Sequence, residues 1–217
     1  YRYIQQLRHI LCPYPTDDSS NKAPWVGRHF RDWHWAIDHL QLEAGWKEVP
    51  PEVIDPDDPD CVVRTRIVER NKKRVEIHEI WSPVMAMFLF TKLHLPLRSF
   101  QVRFLDSGEG DTWRYEGGQW VENTKHPFKY GTPKRPYQKG VFRRIYDSMT
   151  EGYSTGLYVS TNKTADQNKD ELQRGYTIPW QHEELLYWLE KLRNWQEKYN
   201  RIDRLVNGAE LTTSIVG

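Results

Sequence analysis

Residues 81–111 read WSPVMAMFLFTKLHLPLRSFQVRFLDSGEGD, and the fold expected of the chain hangs on that stretch. Ser82 before Pro83 predicts a helix start, an N-cap hydroxyl followed by the residue that needs no amide partner at the first helical position. Val84, Met87, Phe88, Phe90 and Leu93 follow as a run apolar almost all round, which predicts a buried helix. Leu95-Pro96 ends it, because proline cannot continue the hydrogen-bond ladder. Leu97 and Arg98 come directly after the break, and Ser99 to Leu105 predicts a second short helix with Phe100, Phe104 and Leu105 as its apolar face. An arginine held between two buried helices requires an anionic partner, so Arg98 is a candidate functional residue.

Upstream, Tyr1 to Cys12 predicts the end of a helix and Val26 to Glu43 a second one, stopped at Gly45. His29, His34 and His39 fall five apart, which rotates each off the face of the last and argues against a metal cluster. Pro50 to Asp60, rich in proline and aspartate, predicts a solvated acidic linker. Cys61–Glu69 and Arg74–Ile80 alternate apolar with charged residues around the turn Arg70-Asn71-Lys72-Lys73 and predict a β-hairpin. Its arginines and lysines either touch a DNA backbone or form one solvated face opposite Glu69, Glu76 and Glu79.

Downstream, Thr112–Glu116 and Gln119–Asn123 predict a second hairpin across Gly117-Gly118. Residues 125–144 then hold Lys125, Lys129, Lys134, Arg135, Lys139, Arg143 and Arg144 with no acid, interleaved with Phe128, Tyr130, Tyr137 and Phe142. This basic, aromatic run is the best electrostatic footprint for a phosphate backbone in the chain, and we read it as loop. Gly156–Thr161 and Tyr176–Ile178 predict paired strands joined by a loop that begins Asn162-Lys163-Thr164. Pro179–Tyr199 predicts a long helix with Leu185, Trp188, Leu189, Leu192 and Trp195 as its stripe.

The order apolar helix, break, Leu97-Arg98, Gln101, Leu105-Asp106 resembles the first arginine box of the tyrosine recombinases (the phage integrase superfamily). Pro96 stands where that family has glycine, and Gln101 where it has glutamate. The hairpin with Lys163-Thr164 at its tip, the Ile178-Pro179 exit and the helix after it resemble the family's lysine hairpin. The runs WSPVM (81–85), LDSGE (105–109) with DTWRYE (111–116), NKTADQNKDE (162–171) and IPWQHEE (178–184) are similar to the large integrase-like proteins of bacterial mobile elements. The resemblance implies catalytic roles for Arg98, which neutralises phosphate charge, and Lys163, which protonates the leaving oxygen, with Lys169 as a second candidate.

It also implies an α+β fold, mainly helical with small antiparallel β-hairpins, like the N-terminal half of a recombinase catalytic domain. Residues 1–49 would end a DNA-clamping region, 50–60 would be the linker, and 61–217 would be that half domain. The family's His-x-x-Arg box is absent: His182 is followed by Glu-Glu-Leu and His126 by Pro-Phe-Lys. With no start methionine either, the expectation is a piece of a longer protein that does not cut DNA by itself. The implied partners are double-stranded DNA and further copies of the same protein on it, with no cofactor and no metal.

Composition narrows the alternatives. The net charge of +1 gives no argument for nucleic acid, so distribution of charge must carry it. Pro96 splits the longest apolar run below membrane-spanning length, and two cysteines in 217 residues suit reduced thiols, so a cytoplasmic location is expected. A non-catalytic DNA-binding or complex-assembly protein with the same fold is the first alternative. An unrelated protein-interaction domain built on ten tryptophans and twelve tyrosines is the second.

Overall fold

The structure, a computed structural model, describes residues 23–39, 45–125, 129–162, 166–170, 173–179 and 182–200. The expected first helix, Phe128, Lys163-Thr164, Cys12 and the end of the second expected helix lie outside the described residues. The helices are α1 (His34–His39), α2 (Val84–His94), α3 (Ser99–Arg103) and α4 (Glu183–Tyr199). The strands are β1 (Trp46–Val49), β2 (Val63–Arg70), β3 (Lys73–Trp81), β4 (Trp113–Glu116), β5 (Gln119–Glu122), β6 (Gly131–Thr132), β7 (Arg135–Pro136), β8 (Phe142–Asp147), β9 (Gly152–Val159) and β10 (Tyr176–Ile178).

Four helices against ten strands, all in antiparallel pairs, make the described chain sheet-rich, which corrects the mainly helical expectation. The physical reasons are local. Between Val26 and Gly45 the described helical structure is a turn of 3-10 helix at Phe30–Asp32 and the six residues of α1. There the amide of His29 donates to the Asp32 carboxylate three residues on and that of Phe30 to the distant Asp60, so side chains take amides that a continuous helix would use. In the basic run, Phe142–Asp147 is a strand because it finds Gly152–Leu157 as a partner.

The chain divides into two compact units, Tyr1–Arg98 with Tyr187–Leu192, and Ser99–Leu186 with Arg193–Gly217. In the first, the sheet runs β1-β3-β2. The expected β2–β3 hairpin is present, and Asn71 and Lys72 at its turn have φ of 52° and 62°, the left-handed pair that a two-residue hairpin loop needs. Glu79 is buried and receives Arg64 Nε at 2.6 Å and Arg66 Nη2 at 2.9 Å, while Arg64 lies 4.3 Å over Trp46. Burial opposes the charge on Glu79, but the two arginines outweigh it and hold its pKa below the usual carboxylate value. Arg70 is held by Glu48. Three of the hairpin's basic residues are thus engaged by acids of the same unit.

The core of this unit is aromatic. Trp33 packs edge-on to Trp188 at 4.9 Å and against Phe90 at 5.4 Å, and Phe30 meets Trp188 at 5.6 Å. Such ring pairs add about 0.5–1.5 kcal/mol each beyond their buried area. Helix α2 ends at Leu95 as the proline requires, but it is one-sided, with Val84 and Met85 exposed and Ala86, Met87 and Phe90 buried. Pro83 itself occupies the N-cap, and the Ser82 side chain makes no capping bond.

In the second unit the sheet runs β10-β9-β8, and β4–β5 forms a separate hairpin whose turn glycines, 117 and 118, have φ of 55° and 82°. Trp120 of β5 donates its indole N–H to Thr155 of β9 at 2.8 Å, and Tyr115 of β4 stacks on Phe142 of β8 at 5.2 Å. The C-terminal half of α4 joins the same unit through Arg114, whose side chain is 2% exposed. Its guanidinium forks onto Glu197 at 2.5 and 2.6 Å and reaches Asn194 at 3.1 Å.

Candidate nucleic-acid interface

The site begins with a buried polar knot in the second unit. Asp111 is 3% exposed, and its two carboxylate oxygens accept the backbone amides of Lys139 at 2.6 Å and Gly140 at 2.9 Å. Thr112 donates its hydroxyl to the Tyr130 carbonyl and accepts the Tyr137 amide, while its own amide donates to Tyr137. The Asn123 amide group donates to the carbonyls of Glu109 and Asp111, both at 2.9 Å. Residues 130–140, with the β6–β7 hairpin, are therefore clamped onto 108–112. Gly140 is obligatory there, since a Cβ would sit 2.5 Å from the Gly108 Cα. Burial pushes the Asp111 carboxyl up to about 7, against the two amide hydrogen bonds and the charge of Arg143.

The knot fixes one wall of a cleft of about 600 Å³. The opposite walls come from β8, β9 and the entry to β10. Arg143, Arg144, Lys139 and Arg174 line it together with Trp113 and several tyrosines, and among the described residues no acid lines it. The Arg143 guanidinium lies 3.8 Å over the Tyr158 ring. That of Arg144 is sandwiched, 4.1 Å from Trp113 and 3.6 Å from Tyr153. Among the described residues no carboxylate lies within ion-pair distance of either arginine, and the Nε of each is buried without a hydrogen-bond partner. Burial draws the pKa of Arg143 down, partly offset by Tyr158 and Asp111, yet a guanidinium so placed stays charged. Two guanidinium groups stacked on rings, with no carboxylate within ion-pair distance among the described residues, are chemically suited to an anion.

Residues 1–207 of the chain match the Integrase_2 family, whose description is "putative integrase". The chain belongs to that integrase family. Comparison with curated proteins finds no match, and comparison with solved structures finds none either. Membership implies interaction with DNA, and among the described residues no helix is long and apolar enough to cross a membrane. Among the same residues no three His, Cys, Asp or Glu side chains are grouped to hold a metal ion.

Of the residues singled out in the sequence, the fold brings Lys139, Arg143 and Arg144 together at the cleft. Lys134 and Arg135 are exposed on the turn and second strand of the β6–β7 hairpin. Lys125 and Lys129 are held by Glu116 and Glu122 of the β4–β5 hairpin. Arg98 is exposed immediately before α3, between buried Leu97 and exposed Ser99, so it escapes the desolvation that a position between buried helices would impose. Lys163 lies outside the described residues, while Lys169 is paired with Asp166 at 3.6 Å.

Sequence reasoning missed Arg174, Trp113, Tyr146, Tyr153 and Tyr158 as cleft residues. The signal was available in part, because Tyr146 and Tyr153 flank a short polar turn, as cross-strand partners would. Asp60 was also missed as an anchor. It accepts Phe30 N at 2.7 Å and Lys191 Nζ at 2.8 Å, and approaches His29 Nδ1 at 3.3 Å.

Proposed function

We propose that this chain is the DNA-gripping part of a site-specific recombinase that breaks and rejoins DNA through a phosphotyrosine link. The observation that carries the reading is the pair Arg143 and Arg144, stacked on aromatic faces with no carboxylate within ion-pair distance among the described residues. Planar guanidinium edges suit the non-bridging oxygens of a phosphodiester, and the tyrosines around them suit the sugar and base. Family membership supports the DNA partner and the recombination class.

On this reading Arg98 and Lys163 serve the chemical step, one neutralising phosphate charge and the other protonating the leaving oxygen. Residues 61–217 are the first half of the catalytic domain, 50–60 its linker and 1–49 the end of a clamping region. Further copies assemble on paired DNA sites. A non-catalytic DNA-binding protein is the second reading: it needs only the Arg143–Arg144 cleft, whose described lining includes neither Arg98 nor Lys169.

Fluorescence anisotropy on a labelled duplex tests the shared part. The Arg143→Ala/Arg144→Ala variant binds more weakly, and the slope of log affinity against log salt becomes shallower by about 2, close to 0.9 for each lost phosphate contact. An unchanged affinity and slope refute the site. The finer reading requires that Arg98→Ala and Lys163→Ala each abolish the covalent protein–DNA adduct in a cleavage-competent protein containing this chain. An adduct formed at the unaltered rate removes Arg98 and Lys163 from the chemistry, and no adduct from any protein containing this chain leaves the non-catalytic reading standing.

A further inference from the structure

We infer that the cleft beside Arg143 and Arg144 receives an unpaired nucleotide, from single-stranded or locally opened DNA, and does not merely track the backbone of a duplex. The inference rests on the DNA-binding reading above and adds the form of DNA.

Shape is the first argument. A duplex backbone is a convex ridge, and a surface stripe of cations is enough to follow it. Here the cations line a recess of about 600 Å³, inside the roughly 300–1,000 Å³ range of pockets that enclose a small ligand.

Ring exposure is the second. Tyr146 and Tyr153, cross-strand partners on β8 and β9, are 57% and 54% exposed, and their rings meet at 5.3 Å and 59°. Tyr176 on β10 is 37% exposed at the same cleft. Exposed rings of this kind are stacking platforms for bases. In a duplex the faces of the bases are covered by their neighbours, so such a platform has nothing to receive. An unpaired nucleotide offers both a bare base face and a phosphate, and the cleft supplies a ring and a guanidinium within one recess.

The polar lining is the third. Gln138 and Thr177 also line the recess, residue types that carry both donors and acceptors. A base edge unpaired from its complement needs such partners. The four cations of the lining, Lys139, Arg143, Arg144 and Arg174, attract the phosphate into the recess.

The test compares a fluorescein-labelled oligothymidylate with a blunt duplex of the same length, by anisotropy, on the intact chain and two variants. Tyr146→Leu and Tyr153→Leu keep apolar volume at positions more than half exposed, so both should fold, and thermal unfolding checks that they do. The expected result is that the intact chain binds the oligothymidylate at least as tightly as the duplex. Tyr146→Leu then loses on the order of tenfold on the single strand with little change on the duplex, whereas Tyr153→Leu, which also removes a ring from under Arg144, weakens both but the single strand more. If both variants keep full single-strand affinity, or lose single strand and duplex in equal measure, the inference is overturned. Duplex binding that still depends on Arg143 and Arg144 would leave the DNA-binding reading intact in that case. If the intact chain binds neither probe, both fall together.

Discussion

Replacing Arg114 by methionine removes the tie between β4 and the C-terminal half of α4 while keeping the apolar stem. The guanidinium is 2% exposed, so no water is available to replace it. It makes two bonds to Glu197, one to Asn194 at 3.1 Å and one to Glu116 at 3.0 Å. Burial works against its charge, but Glu197 and Glu116 outweigh that and raise its pKa. Glu197, 15% exposed in the intact fold, loses both guanidinium bonds when Arg114 is removed. Stranding one partner of a buried pair costs about 3–5 kcal/mol. In a chain of this length each kcal/mol lowers Tm by about 2–4 °C, so the expected fall is on the order of 10 °C. Thermal and urea unfolding followed by circular dichroism measure it, and the double variant Arg114→Met/Glu197→Gln should recover part of the loss. Glu116→Gln touches the same arginine from a site 30% exposed and should cost about 1 kcal/mol or less. A cost for Arg114→Met below about 1 kcal/mol would refute the argument, because it would mean that the fork behaves as a surface ion pair.

Two further outcomes follow from the knot. Asp111 has a folded pKa raised from 3.8 to about 7, so its contribution to stability is fully present below pH 3.8 and is lost as pH rises through 7. The full swing is about 4 kcal/mol, and urea titrations between pH 4 and 7.5 should show a downward component that Asp111→Asn lacks. Asp111→Asn is itself less stable at pH 4, because its NH2 group faces a backbone amide that needs an acceptor. Gly140→Ala drives a Cβ to 2.5 Å from the Gly108 Cα and 2.8 Å from an Asp111 oxygen. It should cost about 1–3 kcal/mol by unfolding, and weaken DNA binding by displacing Lys139 and the start of β8.

Hairpins whose turns carry their own signal were legible in the sequence. Asn71-Lys72 and Gly117-Gly118 accept left-handed φ locally, so pairing across them follows from adjacent residues alone. The stripe of α4 was legible for the same reason: a 3.6-residue period is written within one segment, and Leu185, Trp188, Leu189 and Trp195 are all buried. Strand β8 was not. Arg143 and Arg144 read as a charged loop because a strand's identity depends on what lies beside it, and here one ring packs on Arg143 and two on Arg144. The three-stranded sheet built on β8 is a main reason why a mainly helical expectation gave way to a sheet-rich fold. The role of Asp60 was hidden similarly, since Phe30 and Lys191 are far from it in sequence.

The way Arg143 and Arg144 are parked has a kinetic side. A guanidinium has two kinds of surface, a π-like face and an in-plane edge of N–H groups. Tyr158, Trp113 and Tyr153 take the faces. An arriving oxyanion takes the edge, so capture does not require a ring contact to break first. Freezing a long, flexible side chain at the moment of association ordinarily costs about 0.5–1.5 kcal/mol, and here that ordering has been met during folding. Encounter then resembles docking onto a rigid surface, and an on-rate limited by diffusion and ionic strength, with no slow reorganisation phase, is the form it should take.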